Sequence, residues 1–424
     1  MKIFALLLIS IGSAFGQTLN VGTFNVFPIT NFPFVTSFQL WAVPITGQSL
    51  ANGASSTGIS TNNYPYDAYT SENGPDQSGI FGGIQLVPSK EKSSAETITT
   101  AWMVQAASMG ATNFILSAVS ALGGAAYSNI NKGTIYYAGC LDVMTNAFRN
   151  RNANEQSRVP PNYGLTLVGA ICPAVMVLHG DTDSSNPYYQ QDLEQWAGDF
   201  TSDAQRIFGQ TNVVKLFHCQ ISAISTVGET VSSMAMLAEQ EAPNRTNLVV
   251  TPRYFLPYGA VGSPHLSSAG YQWIGEYYGK AFYKEILGTG WEPLRPISVT
   301  RSSAVITVTF TNTIGGLVFD TTSYPSVNQA TNYGFNYVDD SSSATISSVV
   351  ISGATSNQLT ITLNTTPTGA NKEIRGAIWP TSIPSPTGTT NIMRTNLRNQ
   401  DPTIGILSGL HLYDWCVAFR KTVP

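Results

Sequence analysis

Residues 38–49 read Phe-Gln-Leu-Trp-Ala-Val-Pro-Ile-Thr-Gly-Gln-Ser. The first six predict a buried strand, and Thr46-Gly47-Gln48-Ser49 then forms a polar segment beyond its carboxyl end. A glycine lets the backbone turn sharply there, so Ser49 is presented at the sheet edge with its own N–H turned toward whatever binds. Four more apolar runs, 114–120, 174–179, 213–220 and 248–252, predict further buried strands. Helical patterns lie between and after them. Leu193, Trp196, Ala197, Phe200, Ala204 and Ile207 recur at helical spacing between Asn186-Pro187 and Gly209. Residues 229–241 predict a helix stopped by Pro243, and Trp273, Ile274, Tyr277, Tyr278 and Ala281 share one side of a helix after Ser267. Strands separated by helices imply a parallel sheet covered on both faces.

In such a sheet ligands bind beyond the carboxyl ends of the strands. Two more polar segments occupy strand ends: Leu178-His179-Gly180-Asp181-Thr182-Asp183, and Ser263-Pro264-His265-Leu266-Ser267 leading into the last helix. A serine from the first strand end and a histidine from the last can meet across the top of one sheet. That is what nucleophilic acyl transfer needs: a hydroxyl, a base within hydrogen-bond reach and convergent N–H donors. Asp181 and Asp183 read equally as site carboxylates and as turn or helix-capping residues. Glu96, before the helical stretch 97–109, reads as a helix N-terminal charge. His218 reads as a packed strand residue.

After Trp291-Glu292-Pro293 the pattern changes to alternation. Ile306, Val308 and Phe310 alternate with Thr, as do Leu359, Ile361 and Leu363. A small antiparallel β-sandwich over 294–380 fits, followed by a Pro/Gly/Thr-rich linker at 380–390 and a final segment expected to pack back on the first domain.

Composition narrows the function. Lys plus Arg number 21 against 25 Asp plus Glu, a net charge of -4, and no basic run offers a nucleic acid a footing. Lys2, an apolar run over 3–11 and Ala14-Phe15-Gly16 read as a signal peptide spanning 1–16, so the protein is expected to be secreted or extracellular, with the periplasm as a further location. No later segment predicts membrane insertion. Cys140, Cys172, Cys219 and Cys416 are too dispersed for a metal knuckle; buried thiols and disulfides both remain open. The histidines show no metal-ligand spacing.

Gly47-Gln48-Ser49, Gly123-Gly124 ahead of Tyr127 and Lys132-Gly133, the Gly-Asp-Thr-Asp of 180–183, and His265-Leu266 before a Gly-Tyr helix resemble, in order, the blocks of the SGNH hydrolases. The branch they resemble is that of the carbohydrate acetylesterases similar to sialate O-acetylesterase and phage tail-spike deacetylases. Gly316–Asp320, Asn332–Phe335, Arg375–Trp379, Asn396–Arg398 and Leu412–Cys416 resemble the tail of the same branch. The resemblance implies a three-layer α/β/α SGNH-hydrolase fold over 17–290 followed by the β-sandwich at 294–380 and a linker and returning segment at 381–424. It implies Ser49 as nucleophile, His265 as base, and oxyanion contacts from the Ser49 and Gly124 N–H groups with Thr182 and His179 at the remaining donor positions. Gln48, Asp181 and Asp183 would touch substrate, and no cofactor is implied. The implied reaction is hydrolysis of O-acetyl esters on a glycan.

Two departures stand out. The family's Asp three residues before the base is Gly262 here, and Thr182 replaces an Asn that supplies an oxyanion donor. His265 is therefore expected to find another acceptor for its ring N–H, a backbone carbonyl or water ahead of a distant carboxylate. The same departures keep open a glycan-binding or virion-attachment protein with the fold but not the activity.

Overall fold

Alternate residues of the first strand face two different cores. The computed structural model describes residues 37–62, 64, 68–71, 74–75, 86–151, 166–221, 231–259, 264–321, 330–378, 382–384 and 391–424. The signal-peptide reading at 1–16, the Gly262 position and most of the linker at 381–390 lie outside them. Strands β1 (Ser37–Ala42) and β2 (Ile45–Gly47) form one run broken at Val43-Pro44. The break leaves the sheet intact, because the Val43 and Ile45 N–H groups donate to Leu116 and Ala118 carbonyls at 2.9 Å each. In the same way β5 (Phe114–Leu116) runs on into β6 (Val119–Ala121), and β7 (Thr166–Ile171) into β8 (Ala174–Leu178) across Cys172-Pro173.

With β3 (Ala68–Ser71), β4 (Leu86–Pro88), β9 (Lys215–Gln220) and β10 (Asn247–Pro252), the order across the sheet is β4, β3, β5/β6, β1/β2, β7/β8, β9, β10. All neighbours are parallel except the edge strand β4. Chain order reverses at β1/β2: the next core strand lies on one side of it and the following one on the other. Such a switch point opens a crevice at the carboxyl ends, and Ser49 follows β2 directly.

Leu40 and Ala42 enter one core with Tyr137 and Val143 of α2 (Ile135–Asn150), Leu193 and Trp196 of α3 (Tyr189–Phe208) and Met236 of α4 (Val231–Glu241). Trp41 and Val43 enter the other with Trp102 of α1 (Thr99–Ser108) and Ile274 and Tyr278 of α5 (Ser268–Phe282). This is the three-layer α/β/α arrangement expected from the sequence. Helices α1 and α5 touch closely: a Cβ on Gly279 would sit 2.4 Å from the Trp102 carbonyl oxygen, which only glycine avoids. No side chain of its own residues caps α1; the buried Glu91 carboxylate instead accepts the Thr97 and Thr100 N–H groups at 3.1 and 2.9 Å. Helix α3 stops at Gly209, whose φ of 71° suits a glycine cap.

The carboxyl-terminal third is antiparallel. Strands β11 (Pro296–Ser302), β12 (Val305–Phe310), β16 (Gln358–Leu363) and β15 (Ile346–Ser352) form one sheet in that order. Ile306, Val308, Phe310, Leu359, Ile361 and Leu363 are buried on its inner face. A second sheet packs on it, built from β14 (Phe335–Val338), β17 (Glu373–Gly376) and β21 (Phe419–Thr422). Phe419 lies 6.3 Å from the Phe310 ring and 6.2 Å from Phe335. Short pairs of β13 (Val318–Phe319) with β20 (Leu397–Arg398), and β18 (Ser382–Pro384) with β19 (Asn391–Met393), complete the region. The sandwich thus takes a strand from the end of the chain, which corrects the boundary at 380: residues 294–380 lack β21, without which the second sheet has two strands. Residues 37–424 form one compact unit.

Buried charges bind the final segment to α5. Lys280, fully buried, donates to the Leu412 carbonyl at 2.6 Å and pairs with Asp414 at 2.8 Å and Asp401 at 3.1 Å. Glu276 accepts the Leu407 and Ser408 N–H groups at 2.6 and 2.9 Å. All four cysteines are buried and unpaired, and burial pushes the Cys140 thiol up to about 12. No helix among the described residues is long and apolar enough to cross a membrane.

Candidate active site

The site begins with a close backbone approach. Gly47 has φ +140°, and a Cβ there would lie 2.2 Å from the Leu178 carbonyl oxygen of β8, while the Gln48 N–H donates to that same oxygen at 3.0 Å. The chain then turns away, leaving Ser49 half-buried at the carboxyl end of the sheet. Gly47→Ala must displace the β8 backbone, so we expect it to destabilise the fold by about 2–4 kcal/mol. Urea unfolding measures this; an unchanged midpoint contradicts the close approach.

His265 comes from the far side of the sheet. Its carbonyl accepts the Gly259 N–H at 3.0 Å, and Ser267 caps α5 by accepting the Gly270 N–H at 3.2 Å, so the segment is fixed at both ends. The imidazole Nε2 lies 2.7 Å from Ser49 Oγ. Nδ1 lies 3.2 Å from Ser55 Oγ. A side-chain hydroxyl from the nucleophile's loop thus faces the ring nitrogen for which a backbone carbonyl or water, ahead of a distant carboxylate, is the expected acceptor. Burial holds the His265 pKa below the usual histidine value, opposed by the Asp181 carboxylate and reinforced by the Arg253 guanidinium.

Gly123 of the second block reaches Ser49. The Leu122 N–H donates to the Gly47 carbonyl at 3.2 Å, and a Cβ on Gly123 would stand 3.9 Å from the Ser49 Cβ. Gly124 has φ +68°, with open space where a side chain would project. Gly123 thus lies beside Ser49, on whose hydroxyl side an oxyanion would need its donors.

Three other expected contacts, those of Gln48, His179 and Asp183, turn out to be structural. Gln48 is buried, and its side-chain oxygen accepts the Asp181 and Thr182 N–H groups at 3.2 and 3.4 Å, tying the first block to the third instead of touching substrate. The Thr182 N–H is thereby engaged inward. His179 is fully buried, with Nδ1 2.8 Å from the Tyr189 hydroxyl and Nε2 3.0 Å from the Ala125 carbonyl, so it secures the second block and does not face the site. Asp183 accepts the Tyr127 N–H at 2.7 Å and Asn186 Nδ2 at 3.1 Å, which is the turn-and-capping alternative.

Asp181 forms a two-point ion pair with Arg253, one arm at 3.0 Å. Arg253 is fully buried and follows β10 directly; it was missed, although a lone arginine just past an apolar strand end is a usable signal. Glu96 also differs from its reading: its carboxylate accepts the Ile59 and Ser60 N–H groups at 2.7 and 2.9 Å and so pins the loop after Ser49, while Glu91 takes the helix end. His218, packed in β9, meets Asn247 Oδ1 at 2.9 Å. Among the described residues no cluster of His, Cys, Asp or Glu could hold a metal ion.

No protein-family model and no curated protein matches the chain. Its fold is found among solved structures. It is similar to XAC1771, a carbohydrate acetylesterase from Xanthomonas citri, with TM-score 0.54 and 10% identity over 90% of this chain and 80% of that one. It also matches NanS, with TM-score 0.34 and 12% identity over 52% of this chain and 79% of that one. A protein from Arabidopsis thaliana matches with TM-score 0.36 and 12% identity over 58% of this chain and 97% of that one.

Proposed function

We propose that this chain, which has the fold of a carbohydrate acetylesterase, is a serine-dependent carboxylic ester hydrolase that removes O-acetyl groups from a secreted or cell-surface glycan. The observation that carries the reading is the 2.7 Å contact of Ser49 Oγ with His265 Nε2 at the switch point of the sheet. Ser49 attacks the acyl carbon while His265 takes its proton. The tetrahedral oxyanion would be held by the Ser49 and Gly124 N–H groups. Collapse breaks the ester bond, and His265 returns the proton to the departing sugar oxygen. Water, deprotonated by His265, then attacks the acyl-enzyme; the Ser49 Oγ–acyl bond breaks, His265 returns the proton to Ser49 Oγ, and acetate leaves. The fold supports an acetylated carbohydrate as substrate, and the amino-terminal pattern supports export.

Purified protein should hydrolyse a chromogenic acetate ester faster than the octanoate, and a screen of acetylated polysaccharides should show acetate release. Activity on octanoate alone would point to a lipase-like carboxylesterase. The hydroxyl in place of a carboxylate at His265 Nδ1 favours a second reading, glycan binding without turnover. Binding of an acetylated polysaccharide without acetate release would establish it.

The histidine also sets a pH dependence. A general base works only when neutral, and burial destabilises the His265 imidazolium. Activity should therefore fall on the acid side at an apparent pKa below the ordinary histidine value of 6.5 and hold through neutral pH. A profile of kcat/KM against pH measures this; an acid limb at or above 6.5 contradicts it.

A further inference from the structure

We propose that Ser55 is the positioning residue of this site, completing a Ser49–His265–Ser55 relay in which a neutral hydroxyl takes the place of a carboxylate. The inference rests on the hydrolase reading above and adds a residue to it. A histidine that accepts a proton at Nε2 must carry its own proton on Nδ1, and that tautomer is fixed by an acceptor facing Nδ1. Ser55 Oγ lies 3.2 Å from that nitrogen.

The placement of Ser55 is built. Its φ of 66° is in the left-handed region, which a serine rarely adopts. Flanking contacts hold it there. Before it, the Ala54 N–H donates to the Ser49 carbonyl at 3.1 Å, and the Ala54 carbonyl accepts the Tyr271 hydroxyl at 3.0 Å. After it, Ser56 Oγ accepts the Glu96 N–H at 2.9 Å, and the Thr57 N–H donates to Ser268 Oγ at 3.0 Å. The loop that carries the nucleophile is thus fastened to the helix that follows the base. An uncommon conformation held on both sides, and aimed at the one ring nitrogen the reaction does not consume, is what a positioning role requires.

A hydroxyl fixes the tautomer and ring but brings no charge to stabilise the imidazolium. Among the described residues Asp181 favours the protonated ring and Arg253 opposes it; the two are paired with each other. A carboxylate at position 55 would therefore add a negative charge beside Nδ1, where a neutral hydroxyl now stands.

The test compares Ser55→Gly, Ser55→Asn and Ser55→Asp in the full chain, with Ser49→Ala alongside. Glycine keeps φ +66° without strain and removes the acceptor, so the fold should hold. We expect Ser55→Gly to lower kcat on a chromogenic acetate about 10- to 100-fold with KM unchanged, less than the roughly 10⁴ lost when a triad aspartate is replaced by asparagine. Asparagine tolerates the conformation and offers an acceptor, so Ser55→Asn should keep kcat within about threefold of the parent. Ser55→Asp should move the acid limb upward by about one pH unit. In ¹⁵N spectra His265 should carry its proton on Nδ1 in the parent and lose that preference in Ser55→Gly. Parental kcat, acid limb and tautomer in Ser55→Gly would overturn the role of Ser55 while leaving the hydrolase reading intact. Hydrolysis undiminished in Ser49→Ala would overturn both.

Discussion

Replacing Ser49 by alanine is expected to lower ester turnover by about 10⁴-fold or more, because the substitution removes the attacking hydroxyl. Stability should change by no more than about 0.5 kcal/mol. Ser49 is half-buried in a loop, and its backbone carbonyl, which accepts the Ala54 N–H at 3.1 Å, is untouched by the substitution. Only the hydroxyl contact to His265 is lost. Hydrolysis at high enzyme concentration together with thermal unfolding separates the two effects. Activity within tenfold of the parent would remove Ser49 from the chemistry; a large fall in melting temperature would make the loss of activity structural.

The second large effect is on stability. Lys280→Met should destabilise the protein by about 3–5 kcal/mol, as expected when one partner of a buried charge pair is removed. Lys280 is fully buried, Asp401 and Asp414 are nearly so, and without the ammonium two carboxylates would stay buried together, with Lys284, 3.0 Å from Asp401, as the remaining counter-charge among the described residues. Lys280 and the hydrogen bonds of Asp401 to Thr403 overcome burial and hold the Asp401 pKa well below the ordinary carboxylate range. A depressed carboxylate pKa contributes stability that is present above the unfolded value and is lost as pH falls toward the folded one. The parent should therefore lose stability below about pH 4. In Lys280→Met that acid-dependent loss should shrink. Chemical unfolding at pH 7 and pH 3 tests both statements; a variant as stable as the parent at pH 7 would show that the final segment does not depend on this contact.

How far the sequence carried depends on the range of the forces involved. The strands at 38–43 and 174–179 were legible because both sheet faces are buried, which leaves an apolar run with few interruptions. Strand β7 was missed: it carries Gly169 and follows residues with no apolar period. Helix α2 was missed as well, although Thr134 caps it by accepting the Tyr137 N–H at 3.2 Å, because Gly139, Thr145 and Asn146 interrupt its apolar face. Strand β21 pairs with β17 from the end of the chain, and the charged Arg420 and Lys421 within its four residues hide its alternation. At the site, Ser49 and His265 were readable because each follows a strand-end signal. Arg253 and Ser55 act through partners 72 and 210 residues away, and no local pattern encodes such a distance. His179 and Gln48 were misassigned for a related reason: polar residues at a strand end can bond inward to neighbouring loops as readily as outward to a ligand.

The central claim is that His265 activates Ser49. A fluorophosphonate probe reacts with an activated serine and spares ordinary ones, so peptide mapping after labelling tests it most directly. The expected result is a single modified residue, Ser49, with labelling lost in His265→Ala. Labelling at another serine, or equal labelling of Ser49 in His265→Ala, would contradict it.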